Sequence, residues 1–356
     1  MVELADVFRR YGSVYRQKYE TRMLPSHRKA MRAIEQCRTE VLGGQIYYCE
    51  HCEEFQYSYH SCRNRHCPKC QWDAGEQWLV RQQKMLLPAP YFMLTFTLTD
   101  ELRRVARSHQ KCIYNLLFQA SAAATQELAR DPRFVGGKIG MVGVLHTWAR
   151  DLSFHPHIHY LVPGGGLSKG QESWLPSRED FLVHVKPLSL LFRTKFRDML
   201  RETELFDQIS TTVWKQNWVV HCKSVGDGCA ALKYLAPYIF RVAISNNRIL
   251  KMEDGRVTFR YKDRESGEDQ YRTLAAEEFI RRFLQHVLPK GFVKVRYYGF
   301  FSSGNRPQLR RIRQLLSANL NWEETVDLKE DAHYCPSCGQ VMVIKQLLPP
   351  ARNRSP

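Results

Sequence analysis

The sequence lacks the features of a membrane or exported protein. No apolar run among its 356 residues reaches the roughly 18 residues that a membrane-spanning helix needs. A signal-peptide segment and a lipidation motif are also missing. We therefore expect a soluble cytoplasmic protein with no membrane partner. The GxxxxGK[ST] loop of P-loop NTPases is absent as well, so no helicase of that class is built in.

Acidic residues are scarce relative to basic ones. The chain has 36 Asp and Glu against 53 Lys and Arg, which gives a formal net charge of +17. A charge balance of this kind favours a polyanionic partner, for which nucleic acid is the usual candidate. With 44% hydrophobic residues, the chain is long enough for a sizeable core and for two or three domains.

The cysteine pattern indicates metal binding and argues against disulfides. Eight of the 11 cysteines occur in CxxC pairs or between residues 37 and 70, and no export signal accompanies them. In a reducing compartment this arrangement is typical of zinc. Cys112, Cys222 and Cys229 stand alone, and we interpret them as core thiols.

The N-terminal cysteines predict one zinc site and suggest a second. Cys49-x-x-Cys52 and Cys67-x-x-Cys70 are separated by 14 residues, and two such turns can close a tetrahedral four-cysteine site. The remaining candidate ligands of this region could form a second site of two cysteines and two histidines: His27, Cys37, Cys62 and His66. Alternatively, the first of these begins a helix and the second is a core residue.

A further CxxC pair lies near the C-terminus. Cys335-x-x-Cys338 is half a site, and His333 precedes it. His286 or a partner subunit could complete the coordination.

Zinc would replace the apolar core that so short an N-terminal segment cannot build. Arg63, Arg65 and Lys69 lie on this segment, which indicates phosphate contact, although a purely structural brace is the alternative.

The rest of the chain predicts an α+β fold in which antiparallel strands and helices alternate. Residues 91–99 and 138–150 have the composition of strands, and a helical stretch separates them over residues 101–130. Asp254-Gly255 is a strong two-residue hairpin turn. We predict three consecutive segments: a helical and zinc-binding domain (1–88), a catalytic domain (89–320) and a C-terminal tail with a CxxC knuckle (321–356).

Alternating histidines predict a catalytic metal site. His155, His157 and His159 project from one face of a strand, since a strand repeats every second residue. The last two are our first-choice ligands. If the preceding turn centres near residue 152, His146 lies across from His157 and could be the third ligand. His155 is the alternative, although Pro156 disturbs the ladder there. A polar cluster without metal is the remaining possibility.

Two tyrosines are candidate nucleophiles. Tyr234 and Tyr238 would share one face of a helix, although Pro237 between them can kink or end it, and core packing is the alternative. Arg241 and Arg248 follow closely and could bind a phosphate. Metal beside tyrosine on a basic chain indicates phosphodiester chemistry on nucleic acid. Imidazoles suit zinc and other transition metals, whereas phosphate chemistry commonly uses magnesium or manganese.

Three segments together resemble the two-tyrosine HUH transposases of rolling-circle insertion sequences, and the likeness spans about residue 20 to residue 305. They are CRTEVLGG…YYCEHC…YHSCRNRHCPKCQ, HTWARDLSFHPHIHYLVPGGG and KYLAPYIFRVAISNNRI. The resemblance implies an HUH endonuclease fold, in which an antiparallel sheet carries the histidine pair and the tyrosine helix lies alongside. It implies attack by Tyr234 or Tyr238 on a single-strand phosphate, which gives a 5′-phosphotyrosine link and a free 3′-OH. The other tyrosine would cleave the second strand or complete transfer, and Mg²⁺ or Mn²⁺ would bind at the histidines.

The resemblance further implies single-stranded DNA and the terminal DNA of an insertion sequence as partners, in a prokaryotic, nucleoid-associated setting. A homo-oligomer and a host helicase are open possibilities. Plasmid replication initiators and relaxases share the same chemistry and are the near alternative. A non-enzymatic zinc DNA-binding regulator would need only the cysteines and the charge. A zinc hydrolase would need an acidic base, for which Asp151 is the candidate.

Overall fold

The computed structural model describes residues 2–71, 86–227, 242–263, 266–317 and 332–351. They form two compact units, and the second unit contains residues 86–227 and 288–317. The first unit combines residues 2–71 with the described parts of 242–287 and with residues 332–351. The chain is therefore divided differently from the three consecutive segments predicted above, because residues 242–287 and the tail both join the N-terminal unit. Among the described residues, no helix is long and apolar enough to cross a membrane.

The secondary structure of the described residues alternates helices and strands. The α-helices are α1 (Leu4–Lys18), α2 (Pro25–Glu35), α3 (Arg103–Ser108), α4 (Gln110–Ala129), α5 (Val185–Arg201), α6 (Ala276–Leu284) and α7 (Arg306–Ser317). The strands are β1 (Gly44–Cys49), β2 (Glu54–Tyr59), β3 (Tyr91–Thr97), β4 (Met141–Trp148), β5 (Phe154–Pro163), β6 (Gly165–Leu167), β7 (Trp174–Pro176), β8 (Val220–Ser224), β9 (Ile249–Glu253), β10 (Arg256–Lys262), β11 (Asp269–Ala275), β12 (Val295–Tyr298) and β13 (Val343–Leu348). The long helix predicted over residues 101–130 breaks at His109, whose backbone is not helical.

The second unit is built on a five-stranded sheet in the order β12-β4-β5-β3-β8. Every neighbouring pair in it is antiparallel, so the predicted α+β class with an antiparallel sheet is confirmed. Helices α4 and α5 supply the core on one face, where the ring of Phe96 lies 5.0 Å from that of Phe192. Along β5, Ile158 and Tyr160 belong to this core, whereas His157 and His159, which alternate with them, point to the opposite face.

Tyr160 explains why Gly143 faces it across the strand pair. The tyrosine is fully buried, and its hydroxyl hydrogen-bonds with the Ser121 hydroxyl at 2.8 Å. A Cβ atom at position 143 would lie only 2.4 Å from the tyrosine ring. The absent side chain therefore lets the ring pack flat against β4, which fixes this face of β5 as the covered one.

The described residues of the first unit form two small sheets and three α-helices. Helices α1 and α6 meet through Phe8 and Phe283, whose ring centroids lie 5.4 Å apart. Strands β9 and β10 form the predicted hairpin, and both turn residues have positive φ, 46° at Asp254 and 71° at Gly255. The other sheet has the order β13-β1-β2, so the tail contains a strand that the sequence did not predict.

Candidate metal centre and zinc-binding residues

The structure brings together three histidines on the face of the sheet opposite α4 and α5. His146 on β4 is the register partner of His157 on β5, and His159 follows two residues later on the same face. One ring nitrogen from each lies within 4.8 Å of the others. The residues that the sequence proposed as ligands of the catalytic ion therefore converge on one point.

The rings of the two β5 histidines are held by their Nδ1 atoms. His157 donates from Nδ1 to the backbone carbonyl of His155 at 2.7 Å. Because a carbonyl can only accept, this bond fixes the tautomer and leaves the Nε2 lone pair of His157 available to a metal. The Nδ1 atom of His159 lies 3.0 Å from the Thr95 hydroxyl on β3. Such contacts orient metal-binding imidazoles in proteins.

His155 has a different environment. Its Nδ1 atom accepts a hydrogen bond from Arg103 Nη2 at 2.6 Å, and Arg103 is also paired with Asp100. The ring of His155 lies beside that of His157, with centroids 5.2 Å apart, but its nitrogens do not belong to the converging set. The geometry therefore favours His146 over His155 as the third ligand.

The converging set fits a transition-metal ion. His146 is only 2% exposed, and the other two rings are half-buried, so one side of the group is open. Three imidazoles this close cannot all carry a positive charge without strong repulsion, whereas neutral imidazoles are good ligands for transition metals. Catalytic metal sites also commonly have three protein ligands and one open coordination position.

Asp151, the candidate acidic base of a zinc hydrolase, lies in the turn between β4 and β5. Its carboxylate accepts hydrogen bonds from the backbone nitrogen and hydroxyl of Ser153, at 3.1 and 2.7 Å. It therefore stabilises the turn between β4 and β5, and it is not one of the converging groups.

The cysteines of the first unit form two groups of four, and neither has the composition predicted above. Cys37, Cys62, Cys67 and Cys70 form one group. Cys49, Cys52, Cys335 and Cys338 form the other. The predicted pairing of the two N-terminal CxxC motifs is therefore corrected.

The β1–β2 hairpin explains this correction. Cys49 ends β1 and Cys52 lies in the turn that follows, while Cys62 comes after the far end of the hairpin, where Gly44 pairs with Tyr59. Six paired residues of strand separate the two ends by roughly 17–20 Å. Each CxxC pair must therefore find partners at its own end.

The first cysteine group is closely packed. The Cys70 sulfur lies 3.5 Å from those of Cys37 and Cys62. Hydrogen bonds within the group lower the pKa of the Cys70 thiol and raise the pKa of the Cys62 and Cys67 thiols.

The two predicted histidine ligands are not members of either group. His27 lies on α2, and burial lowers its pKa to about 4, with no hydrogen-bond partner for Nε2 among the described residues. His66 lies in a turn, where its backbone N–H donates a hydrogen bond to Asn64 Oδ1 at 2.9 Å. His286, offered as a ligand for the C-terminal pair, is also outside both groups.

Comparisons with known proteins find matches over both the histidine-bearing and the N-terminal cysteine-bearing parts of the chain. Residues 140–308, which include the three histidines, match the protein family described as "Putative transposase", and residues 7–98 match the "Transposase zinc-binding domain". The "Putative transposase y4qJ" of Sinorhizobium fredii is 39% identical over 375 aligned residues, which cover 96% of this chain and 94% of that protein. The "Transposase for insertion sequence element IS801" of Pseudomonas savastanoi pv. phaseolicola is 28% identical over 284 residues, 75% of this chain and 68% of that protein.

The chain belongs to the IS91/IS801 family of transposases. A transposase acts on DNA, in agreement with the basic composition. The match to a zinc-binding domain, together with the cysteine groups, identifies structural zinc in this transposase.

Basic residues of the zinc-binding segment differ in their surroundings. Lys69 forms an ion pair with Glu3 at 2.6 Å. Arg65 is partly buried, and the loss of water around it lowers its pKa. Arg63 is exposed and has a positive φ of 51°. Of these three predicted DNA contacts, Arg63 is the one that the fold leaves at the surface.

The remaining predicted site residues of the transposase lie elsewhere. Tyr234, Tyr238 and Arg241 lie outside the described residues. Arg248 belongs to the first unit, where its Nε atom donates to the backbone carbonyl of Arg260 at 2.8 Å. Sequence reasoning missed Thr95, although a threonine at every second position of an otherwise apolar strand was a signal that one face of β3 is polar.

Proposed function

We propose that this transposase nicks and joins single-stranded DNA at the ends of its insertion sequence through a 5′-phosphotyrosine intermediate. The observation that carries the proposal is the convergence of His146, His157 and His159 on the open face of an antiparallel sheet. The family supports a DNA substrate, and the paired tyrosines of the sequence supply nucleophiles.

The short segment between β8 and the two tyrosines allows a nucleophile to lie close to the histidines. Strand β8, which ends at Ser224, is next to β3 in the sheet that carries them. Ten residues lead from there to Tyr234, and an extended chain of that length spans up to about 33 Å. Both Tyr234 and Tyr238 are therefore within reach of a phosphate held at the histidines.

A divalent cation held by the three imidazoles would act as a Lewis acid on the scissile phosphate. His157 and His159 would hold this cation, with their rings oriented by the His155 carbonyl and the Thr95 hydroxyl. In the proposed step the tyrosine Oη atom forms a bond to phosphorus while the bond to the 3′ oxygen breaks. The tyrosine proton passes to solvent, and the 3′ oxygen takes up a proton to become a free 3′-OH.

This chemistry needs no ATP, because the covalent bond stores the energy required for rejoining. The free 3′-OH can prime replication, as rolling-circle transposition requires. The partners we propose are single-stranded DNA, the terminal DNA of the element, a host helicase that exposes the strand, and a second copy of the chain.

The experiment is cleavage of labelled single-stranded oligonucleotides that carry the ends of the element, in the presence of Mn²⁺ or Mg²⁺. Wild type should form a covalent protein–DNA adduct on a denaturing gel, and Tyr234→Phe with Tyr238→Phe should abolish it. Tyr271→Phe is the matched control, since Tyr271 is 64% exposed and belongs to the first unit. Cleavage without an adduct, or an adduct that survives in the double variant, would exclude the tyrosine mechanism.

A further inference from the structure

The two ends of the chain form matching turns that meet in the first unit. Cys49-Glu50-His51-Cys52 ends β1, and Cys335-Pro336-Ser337-Cys338 lies in the C-terminal segment. In each turn, the residue after the second cysteine has a positive φ, 57° at Glu53 and 73° at Gly339. Both segments thus fold as the same tight turn with two thiols on its inner side.

Backbone hydrogen bonds shape the C-terminal turn for metal binding. Gly339 donates its backbone N–H to the Cys335 carbonyl, and Cys335 donates to the Gln340 carbonyl, both at 2.8 Å. The Cys49 and Cys338 sulfurs lie 3.6 Å apart, and the four ligand atoms are within 4.8 Å of one another.

The strand that follows this turn has little apolar burial to hold it. Strand β13 pairs with β1 from Tyr48–Val343 to Gly44–Leu348. Its side chains are nevertheless largely exposed, 52% for Ile344 and 67% for Leu347. Besides two of the thiols themselves, Cys49 and Cys335, the buried cluster at this site contains only Met342 among the described residues. An apolar core this small does not fix a chain end by itself, whereas a structural metal does.

We propose that Cys49, Cys52, Cys335 and Cys338 bind one structural zinc ion. This ion joins the turn after β1 to the turn before β13. This ion is separate from the one held by the Cys37 group, so the two cysteine groups hold two structural zinc ions per chain. The zinc-binding domain match ends at residue 98 and contains only the first half of this site. Thiol protons leave as the four thiolates bind zinc, which is the ordinary chemistry of a tetrahedral four-cysteine site.

The site makes the C-terminal segment part of the zinc-binding domain. Polar contacts agree with this role, since the His333 ring stacks on Tyr47 with centroids 4.0 Å apart and its Nε2 contacts Gln56 Oε1 at 2.8 Å. A chain that ends before Cys335 would keep the first zinc ion and lose the second.

The test is the zinc content of the full-length protein, measured by native mass spectrometry. Because the three histidines can also hold zinc, each variant is compared with wild type: C335S/C338S and C49S/C52S should each hold one zinc ion fewer. The matched control is C112A/C222A, which removes two cysteines that belong to neither group and should hold as many zinc ions as wild type. An unchanged zinc content in C335S/C338S or in C49S/C52S would overturn the proposal.

Thiol labelling tests the same site in the wild-type protein, so it does not depend on whether the cysteine variants fold. Native zinc-loaded protein treated with N-ethylmaleimide should be unmodified at Cys335 and Cys338, and a chelator should make both reactive. Cys338 is the sharper probe, because it is half-exposed and would react at once without zinc. Labelling of either cysteine before chelation would overturn the proposal.

Discussion

The hydrogen bond between Thr95 and His159 provides a direct test of the metal site. In Thr95→Val the side chain keeps its shape and loses the hydroxyl that lies 3.0 Å from His159 Nδ1. Removing a group that orients a metal-binding imidazole typically weakens metal affinity about 10- to 100-fold. That loss corresponds to roughly 1.4–2.8 kcal/mol of binding free energy.

The assay is titration of the DNA-free protein with Mn²⁺, followed by electron paramagnetic resonance of the unbound ion. Thr97→Val is the matched control: Thr97 lies two residues along the same strand and pairs with His157. Since the backbone carbonyl of His155 already fixes the His157 ring, the control should bind Mn²⁺ as wild type does. An unchanged affinity in Thr95→Val, or an equal loss in Thr97→Val, would refute the reasoning.

Three further predictions concern packing, pH and ion choice. Gly143→Ala should lower the free energy of unfolding by about 1–3 kcal/mol in a denaturant titration, because its Cβ would overlap the buried Tyr160 ring. The control is Gly304→Ala, which has open space around it and should leave the free energy of unfolding unchanged. The pKa of His27 is lowered to about 4, so between pH 6.5 and pH 4 the unfolded chain takes up a proton that the folded chain does not. Stability should therefore fall by about 1 kcal/mol between pH 7 and pH 5.5, and His27→Leu should remove that part of the pH dependence in chemical denaturation. Mn²⁺ should support adduct formation at a lower concentration than Mg²⁺, because imidazole nitrogens suit transition metals better; equal requirements in an ion titration would argue against the three-imidazole site.

The five-stranded sheet that carries the histidines could be predicted largely from local patterns. Period-2 alternation placed the β5 histidines on one face, and the short turn before them placed His146 opposite His157, as the register has it. The Asp254-Gly255 turn was predictable for the same reason, since its backbone conformation depends on the two residues themselves. Each of these features is determined by residues that are close together in the sequence.

The cysteine partners could not be predicted, because spacing along the chain identifies half-sites but not which halves meet. Cys335 and Cys338 pair with a turn 286 residues away, and only the β1–β13 ladder brings them there. Strand β13 itself lacks an alternating buried pattern, so its sequence carries no signal of a strand. Residues 242–287 join the first unit through packing such as Phe8 on Phe283, which is likewise non-local.

The most direct test of the account identifies the residue that becomes linked to DNA. Wild type would be reacted with single-stranded end DNA and Mn²⁺, digested with nuclease and protease, and its peptides sequenced by tandem mass spectrometry. The account predicts a nucleotide attached through phosphate to Tyr234 or Tyr238, and no such peptide from His157→Ala or from a reaction without divalent ions. A nucleotide on any other residue, or the same linked peptide in full yield from His157→Ala, would contradict it.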